Sequence, residues 1–266
     1  MKLNKSAVSA IIILVALATI IGLSGLSFII PSETRKVSDN LDDNQRESIN
    51  MEKIFLTAKD GVKIAANLYS VKPTRGWLVL THMMPATKES YQDLAKRFQN
   101  LGYECLAIDL RGHGESDKGP DGFMKFSDSE HQKSILDLEA AVDYLIENRG
   151  ASVVRISFIG ASIGANLSLQ YISEHSEFKT AILLSPGLNY KGIKTEQMVE
   201  KLKDGQKVFF VSSRDDVSNA DQNQVLYDLT PDGIINNIKI YETAGHGTDI
   251  LENEPKLINL IIDFIK

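Results

Sequence analysis

Cysteine is nearly absent. Cys105 is the only one in 266 residues, which excludes an internal disulfide and a cysteine-rich zinc site. It sits in an apolar run with Leu106, Ala107 and Ile108, so it is expected to be a buried, inert thiol rather than a nucleophile. Positive charge is also in short supply. The net charge is −6 and no polybasic block occurs, so no nucleic-acid partner is expected. Internal repeats and low-complexity blocks are missing. There is no P-loop and no dinucleotide fingerprint, because Gly112-His113-Gly114 is followed by Asp117 where the third glycine would stand. No nucleotide cofactor is therefore expected. What is present is a globular composition, 43% hydrophobic and 24% charged.

One long hydrophobic run stands apart. Ala7–Ile30 is 24 residues without a charge, and as a helix at 1.5 Å per residue it would span about 36 Å, enough to cross a bilayer core. Lys2 and Lys5 precede it and Pro31 closes it. Residues 1–30 are expected to be an uncleaved single-pass membrane anchor with the N-terminus inside. A cleaved signal peptide is the alternative, with Ala16-Leu17-Ala18 as a cleavage site, although cutting there would leave a sticky apolar end from Thr19 to Ile30. Both readings export the rest of the chain. Residues 31–50 are polar and are expected to be a tether, followed by one globular domain over 51–266.

Within that domain, short apolar runs alternate with stretches of helical period. Lys53–Thr57 and Val62–Tyr69 flank Asp60-Gly61 and predict a hairpin. Trp77–Leu80, Cys105–Ile108, Val153–Ile159, Ala181–Leu184, Val208–Val211 and Ile238–Tyr241 predict strands, most of them solid enough to be buried on both faces. Tyr91–Leu101, Ser134–Glu147 and Lys256–Ile265 predict amphipathic helices. The alternation predicts an α/β fold with a mainly parallel sheet and helices on both faces.

Ligands of such sheets bind beyond the carboxyl ends of the strands. A serine, an acid and a histidine arrive there in chain order. Gly160-Ala161-Ser162-Ile163-Gly164 is a G-x-S-x-G sequence between a predicted strand and a predicted helix. A serine exposed on a strained turn needs small neighbours two residues to either side; the plainer reading is a glycine-rich turn that binds phosphate at a helix N-terminus. The base has five candidates. His82 ends a strand whose main chain suits an oxyanion loop. His113 lies between two glycines and reads as structural. His131 and His175 have polar helical neighbours and are expected to face solvent. His246, in a glycine-flanked loop after the last strand, is the favoured base. The acid follows Val208–Val211, where Asp215 and Asp216 are adjacent. Asp215 is favoured as the first acid after Ser212-Ser213-Arg214, and Asp216 is the alternative.

From about residue 52 to the end, these features resemble serine hydrolases of the α/β-hydrolase superfamily. The resemblance rests on His82-Met83, on Asp109-Leu110-Arg111-Gly112-His113-Gly114-Glu115-Ser116, on Gly160–Gly164, on Asp215 and on His246. The Arg111–Ser116 stretch is typical of the esterase, monoglyceride-lipase-like and serine-aminopeptidase-like branches. The resemblance implies that Ser162 attacks, His246 relays the proton and Asp215 orients the imidazole. It also implies an oxyanion hole made by the backbone N–H groups of Met83 and Ile163. His82-Met83-Met84-Pro85 replaces the glycine-rich lipase segment, and Ser212 stands where a glycine usually precedes the acid by three residues. A serine nucleophile sets the chain apart from epoxide hydrolases and haloalkane dehalogenases of this fold. Ser185–Lys207 is only 23 residues, room for one short helix (Thr195–Lys203) but not for a large cap domain, so an open site is expected. The implied activity is cleavage of a small-molecule carboxylic ester, thioester or amide through an acyl-enzyme, without cofactor or metal. A serine peptidase on short substrates, or a non-catalytic binding module retaining the fold, is the alternative.

Overall fold

The computed structural model describes residues 50–266. The proposed anchor, Ala7–Ile30, and nearly all of the tether lie outside them. Among the described residues no helix is long and apolar enough to cross a membrane.

The strands are β1 (Asn50–Thr57), β2 (Lys63–Ser70), β3 (Gly76–Thr81), β4 (Tyr103–Ile108), β5 (Ile156–Ala161), β6 (Thr180–Leu184), β7 (Asn189–Tyr190), β8 (Ile193–Lys194), β9 (Lys207–Ser213) and β10 (Ile235–Tyr241). The helices are α1 (Gln92–Asn100), α2 (Asp128–Gln132), α3 (Ile135–Arg149), α4 (Ile163–Glu174), α5 (Glu196–Glu200), α6 (Asn219–Asp228), α7 (Asp249–Asn253) and α8 (Leu257–Ile265). Eight strands form one sheet in the order β1-β2-β4-β3-β5-β6-β9-β10. The β1–β2 hairpin turns at Asp60-Gly61, as the sequence predicts, and β2 joins β4 antiparallel; every later pairing in this sheet is parallel, and β7 and β8 form a separate antiparallel pair.

Alternation along the strands sorts the apolar side chains into two layers. Val79, Leu106, Ile108, Phe158, Leu183 and Phe210 face α3, α4 and α6 through Leu138, Leu145, Leu167, Leu169 and Leu226. Leu78, Leu80, Cys105, Ile159, Ile182 and Phe209 face α1, α7 and α8 through Leu94, Phe98, Ile250, Ile261 and Phe264. The predicted strands at β3 to β6 and β9 are buried on both faces for this reason. The run at Ile238–Tyr241 is not. It belongs to β10, which starts three residues earlier at the sheet edge and stays partly exposed. Cys105 is fully buried; burial pushes its thiol well above the usual range, consistent with an inert residue.

The Asp109–Ser116 stretch is a loop built around a buried charge. Lys88 is 1% exposed, and its Nζ donates to Asp109 Oδ2 at 2.7 Å and to Glu115 Oε2 at 2.9 Å. Burial alone would lower the lysine pKa, but the carboxylates outweigh it and the net direction is upward. Leaving either partner of such a pair alone in the interior costs about 3–5 kcal/mol. Arg111 is clamped by Asp137 and Asp60, and Ser116 Oγ donates to the Asp109 carbonyl while accepting from Ala65 N–H.

Two histidines complete the loop. His82 is fully buried, with Nε2 accepting from Leu110 N–H at 2.9 Å, so that Nδ1 carries the proton and donates to the Met83 carbonyl at 2.8 Å. His113 stacks on Phe123 with ring centroids 4.1 Å apart, in keeping with its structural reading. His131 contradicts the expectation of solvent exposure: it is buried, edge-on to Phe126, because α2 packs that face of its short helix inward. Burial pulls the pKa of both His82 and His113 down to about 4. Unfolded histidine takes up a proton near pH 6.5, and these two resist doing so until about pH 4. Their contribution to stability is therefore complete above pH 6.5 and is lost as pH falls through this window, by about 3 kcal/mol for each histidine. Urea denaturation between pH 7 and pH 4 should show a loss, and His113→Asn, which keeps an N–H for the Arg111 carbonyl but does not titrate, should make it smaller by about 3 kcal/mol. An equal loss in the variant would contradict the assignment.

Candidate active site

Ser162 is the residue on which the sheet edge turns. It joins β5 to α4 at φ 54° and ψ −119°, a conformation that costs a non-glycine residue about 1–3 kcal/mol and persists only where its surroundings enforce it. Its N–H donates to the Leu184 carbonyl at 2.8 Å, and its own carbonyl accepts from Ala165 and Asn166 N–H. The flanking glycines are there because nothing larger fits. A Cβ on Gly160 would lie 2.2 Å from the Gly164 carbonyl oxygen, and one on Gly164 would lie 2.3 Å from the Thr81 carbonyl oxygen. The second contact sets the N-terminus of α4 directly against the end of β3. As a result the N–H groups of Ile163 and Met83 come to the same edge, and neither has an acceptor among the described residues. That is the arrangement expected of an oxyanion hole.

His246 reaches this edge from the other side. The adjacent Gly247 sits against Met83 and Ala161, and a Cβ on it would lie 2.6 Å from Met83 Sδ. Its N–H donates to Ser185 Oγ at 2.9 Å. Ser162 Oγ and the His246 ring make no hydrogen bond among the described residues; their neighbours bring them to one mouth, 7% and 31% exposed respectively.

The partner of His246 is where the structure departs from the sequence reading. Asp216, not Asp215, meets the histidine, with Asp216 Oδ2 2.5 Å from His246 Nδ1. A carboxylate acceptor there puts the proton on Nδ1 and leaves Nε2 free to accept. Asp215 turns away. It accepts from Ser213 Oγ and from the N–H groups of Ala244 and Gly245, and the Ser213 hydrogen bond, ahead of the backbone ones, holds its carboxyl below the usual range. The reason is register. β9 continues two residues past the apolar run, through Ser212 and Ser213, which pair with Ile240 and Tyr241. The first acid after the run thus lies too near the strand end to reach across, and it clips the backbone of the loop leading to His246 instead. The serine two residues before Asp215 was the signal for this local role.

Sequence reasoning also missed Ser185, Tyr190 and Asn219. Ser185, at φ 51° just past β6, anchors the His246 loop through the hydrogen bond to Gly247. Tyr190 stands edge-on to His246 with ring centroids 6.3 Å apart. Its hydroxyl accepts from Asn219 Nδ2 at 3.1 Å. Beside Met84, a cavity of about 570 Å³ is lined by Pro85, Asp121, Phe123, Met124, His131 and Lys191 as well. The chain between β6 and β9 holds the small β7–β8 hairpin and α5, with no large cap, and the predicted Thr195–Lys203 helix is real but shorter. No three His, Cys, Asp or Glu side chains cluster to hold a metal ion among the described residues.

Sheet order, strained serine turn and late histidine define an α/β-hydrolase. The sequence model of the family described as serine aminopeptidase, S33 matches residues 72–209, more than half of the chain, and the chain belongs to that family. Among solved structures it is similar to an esterase of Pyrococcus furiosus, with 20% identity, 82% of this chain and 94% of that chain covered, and a TM-score of 0.65. It is also similar to a dienelactone hydrolase of Anabaena variabilis (16% identity, 80% and 94% covered, TM-score 0.65) and to an esterase of Exiguobacterium antarcticum (15% identity, 80% and 99% covered, TM-score 0.63). At these identities the likeness establishes the fold. A comparison with curated proteins finds no match.

The two aspartates separate experimentally. Asp216→Asn should lower hydrolytic turnover by up to about 10⁴ in kcat if the His246–Asp216 pair acts as a base and its orienter, because the imidazole loses the partner that fixes its tautomer. Asp215→Asn should lower it less than about tenfold, mainly by loosening the loop. Equal losses, or the reverse order, would contradict this arrangement.

Proposed function

We propose that this chain is a serine esterase that cleaves small-molecule carboxylic esters through an acyl-enzyme. The observation that carries the reading is Ser162 held at positive φ, with the His246–Asp216 pair and two unpaired N–H groups at the same edge. In this reading Ser162 Oγ attacks the ester carbonyl carbon while His246 Nε2 takes its proton. The carbonyl oxygen, now negative, accepts from Met83 and Ile163 N–H. His246 then returns the proton to the departing alkoxide, the C–O bond breaks, and the acyl group stays on Ser162. Water, deprotonated by His246, repeats the sequence and frees the acid. Asp216 holds the imidazole throughout.

The open mouth and the neighbouring cavity with Met84, Phe123 and Met124 support small, partly apolar acyl groups rather than a long acyl tunnel. Thioesters would pass through the same steps. The family's description favours a second reading, an aminopeptidase on short substrates, and aminoacyl anilides tested beside acyl esters separate the two. Ser162→Ala should abolish turnover of p-nitrophenyl acetate without changing the thermal melt, with a loss on the order of 10⁶ in kcat. A variant that kept more than about a tenth of wild-type turnover would remove Ser162 from the chemistry.

We further propose that Ala7–Ile30 anchors this domain in a membrane, with the domain on the non-cytoplasmic side. The uncharged length of the run and the lysines before it support this. Protease added to intact cells should release an active fragment cut between residues 31 and 50. A domain that is protected until lysis would reverse the orientation, and a mature N-terminus at Thr19 would replace the anchor with a cleaved signal and an exported enzyme.

A further inference from the structure

The β7–β8 hairpin is tied down more firmly than a surface turn of its size requires. From α4, Asn166 Nδ2 donates to the carbonyls of Gly187 and Ile193 at 2.9 and 3.0 Å, and Asn166 Oδ1 accepts from Gly187 N–H at 3.0 Å. Thr195 Oγ1 also donates to the Gly187 carbonyl. From α6, Gln222 Oε1 accepts from Leu188 N–H, and Asn219 and Asn223 both donate to the Pro186 carbonyl at 2.9 Å. Asn166, Asn219 and Asn223 are buried. Placing three side-chain amides in the interior is costly unless each is hydrogen-bonded, and here all of them serve one short segment.

What the segment presents is Tyr190. Its ring packs on Gly187, where a Cβ would lie 2.5 Å from Tyr190 Cζ, and stands edge-on to His246. Asn219 fixes the hydroxyl. Asn223 Nδ2 donates to Asn219 Oδ1 at 3.1 Å, so the other end of the Asn219 amide is its NH2, which donates to the Pro186 carbonyl and to the Tyr190 oxygen. With the phenol oxygen already accepting, its own hydrogen remains to be given away. Burial first, then the charge of Asp216, pushes the Tyr190 phenol up to about 12, so it stays a donor at any working pH.

We propose that Tyr190 is a further catalytic residue, whose hydroxyl donates a hydrogen bond to the leaving-group oxygen as the bond to the acyl carbon breaks. The inference rests on the esterase reading above. The leaving oxygen must lie within reach of both Ser162 Oγ, which replaces it, and His246 Nε2, which protonates it, and Tyr190 stands edge-on to that histidine. Tyr190 transfers no proton. The proton taken from Ser162 goes through His246 to the leaving group, and the phenol only spreads the charge that builds on that oxygen. Its contribution therefore grows with the basicity of the leaving group.

The test is Tyr190→Phe, which keeps the ring on Gly187 and His246, assayed on acetate esters from p-nitrophenyl to ethyl alongside a thermal melt. Loss of one such hydrogen bond should lower kcat/KM by about tenfold for the ethyl ester and by less than about twofold for the p-nitrophenyl ester, so that the dependence on leaving-group pKa steepens. A uniform loss across the series, or no loss, would overturn the proposal. If Tyr190→Phe fails to fold, 3-fluorotyrosine at position 190, a stronger donor, should flatten the dependence, and an unchanged slope would overturn it. A wild-type enzyme with no Ser162-dependent turnover of any ester would overturn the underlying reading itself.

Discussion

The close approach of α4 to the end of β3 governs the whole mouth. Gly164 can lie against the Thr81 and His82 carbonyls only because it lacks a side chain, and that contact carries Ser162 into its positive-φ turn. The same approach sets the start of α4, with Ile163, against the end of β3, which Met83 follows. β3 must end at a fixed height for this to work, and His82 fixes it by bridging the Met83 carbonyl and Leu110 N–H. The loop that presents Leu110 is in turn held by Lys88, Asp109 and Glu115. The Asp109–Ser116 motif thus supports the end of β3 from behind and takes no part in the chemistry proposed for the mouth.

Most of the architecture was legible because parallel strands buried on both faces read as solid apolar runs. The placement of Ser162 and His246 at the sheet edge was legible as well, since each lies where the end of a strand must deliver it. The aspartate that meets His246 was harder. Asp215 and Asp216 differ by one position, and the apolar run at Val208–Val211 does not disclose that β9 extends through Ser213. β10 reads like an interior strand but closes the sheet, because neighbour order is a tertiary property. His131 has polar neighbours in sequence, yet α2 is turned so that this one side chain points inward to Phe126.

Tyr190 and its amides show a different limit. Asn166, Asn219 and Asn223 lie on two helices far apart in sequence, and nothing local marks them as partners of a hairpin between β6 and β9. Their convergence is visible only once both helices pack beside the same sheet edge. A buried polar network of this kind specifies one geometry, because each unpaired amide would cost more than the hydrogen bond it lost. The short hairpin thereby gains the rigidity that a larger inserted domain would draw from a core of its own.

The central claim is that Ser162 is a nucleophile activated by its surroundings, and one measurement tests it most directly. Purified protein is treated with a p-nitrophenyl alkylphosphonate, and its mass is determined before and after peptide mapping. The account predicts one adduct per chain, located on Ser162, and none when His246 is replaced by alanine. Recovery of unmodified protein, or an adduct on any other residue, would contradict it.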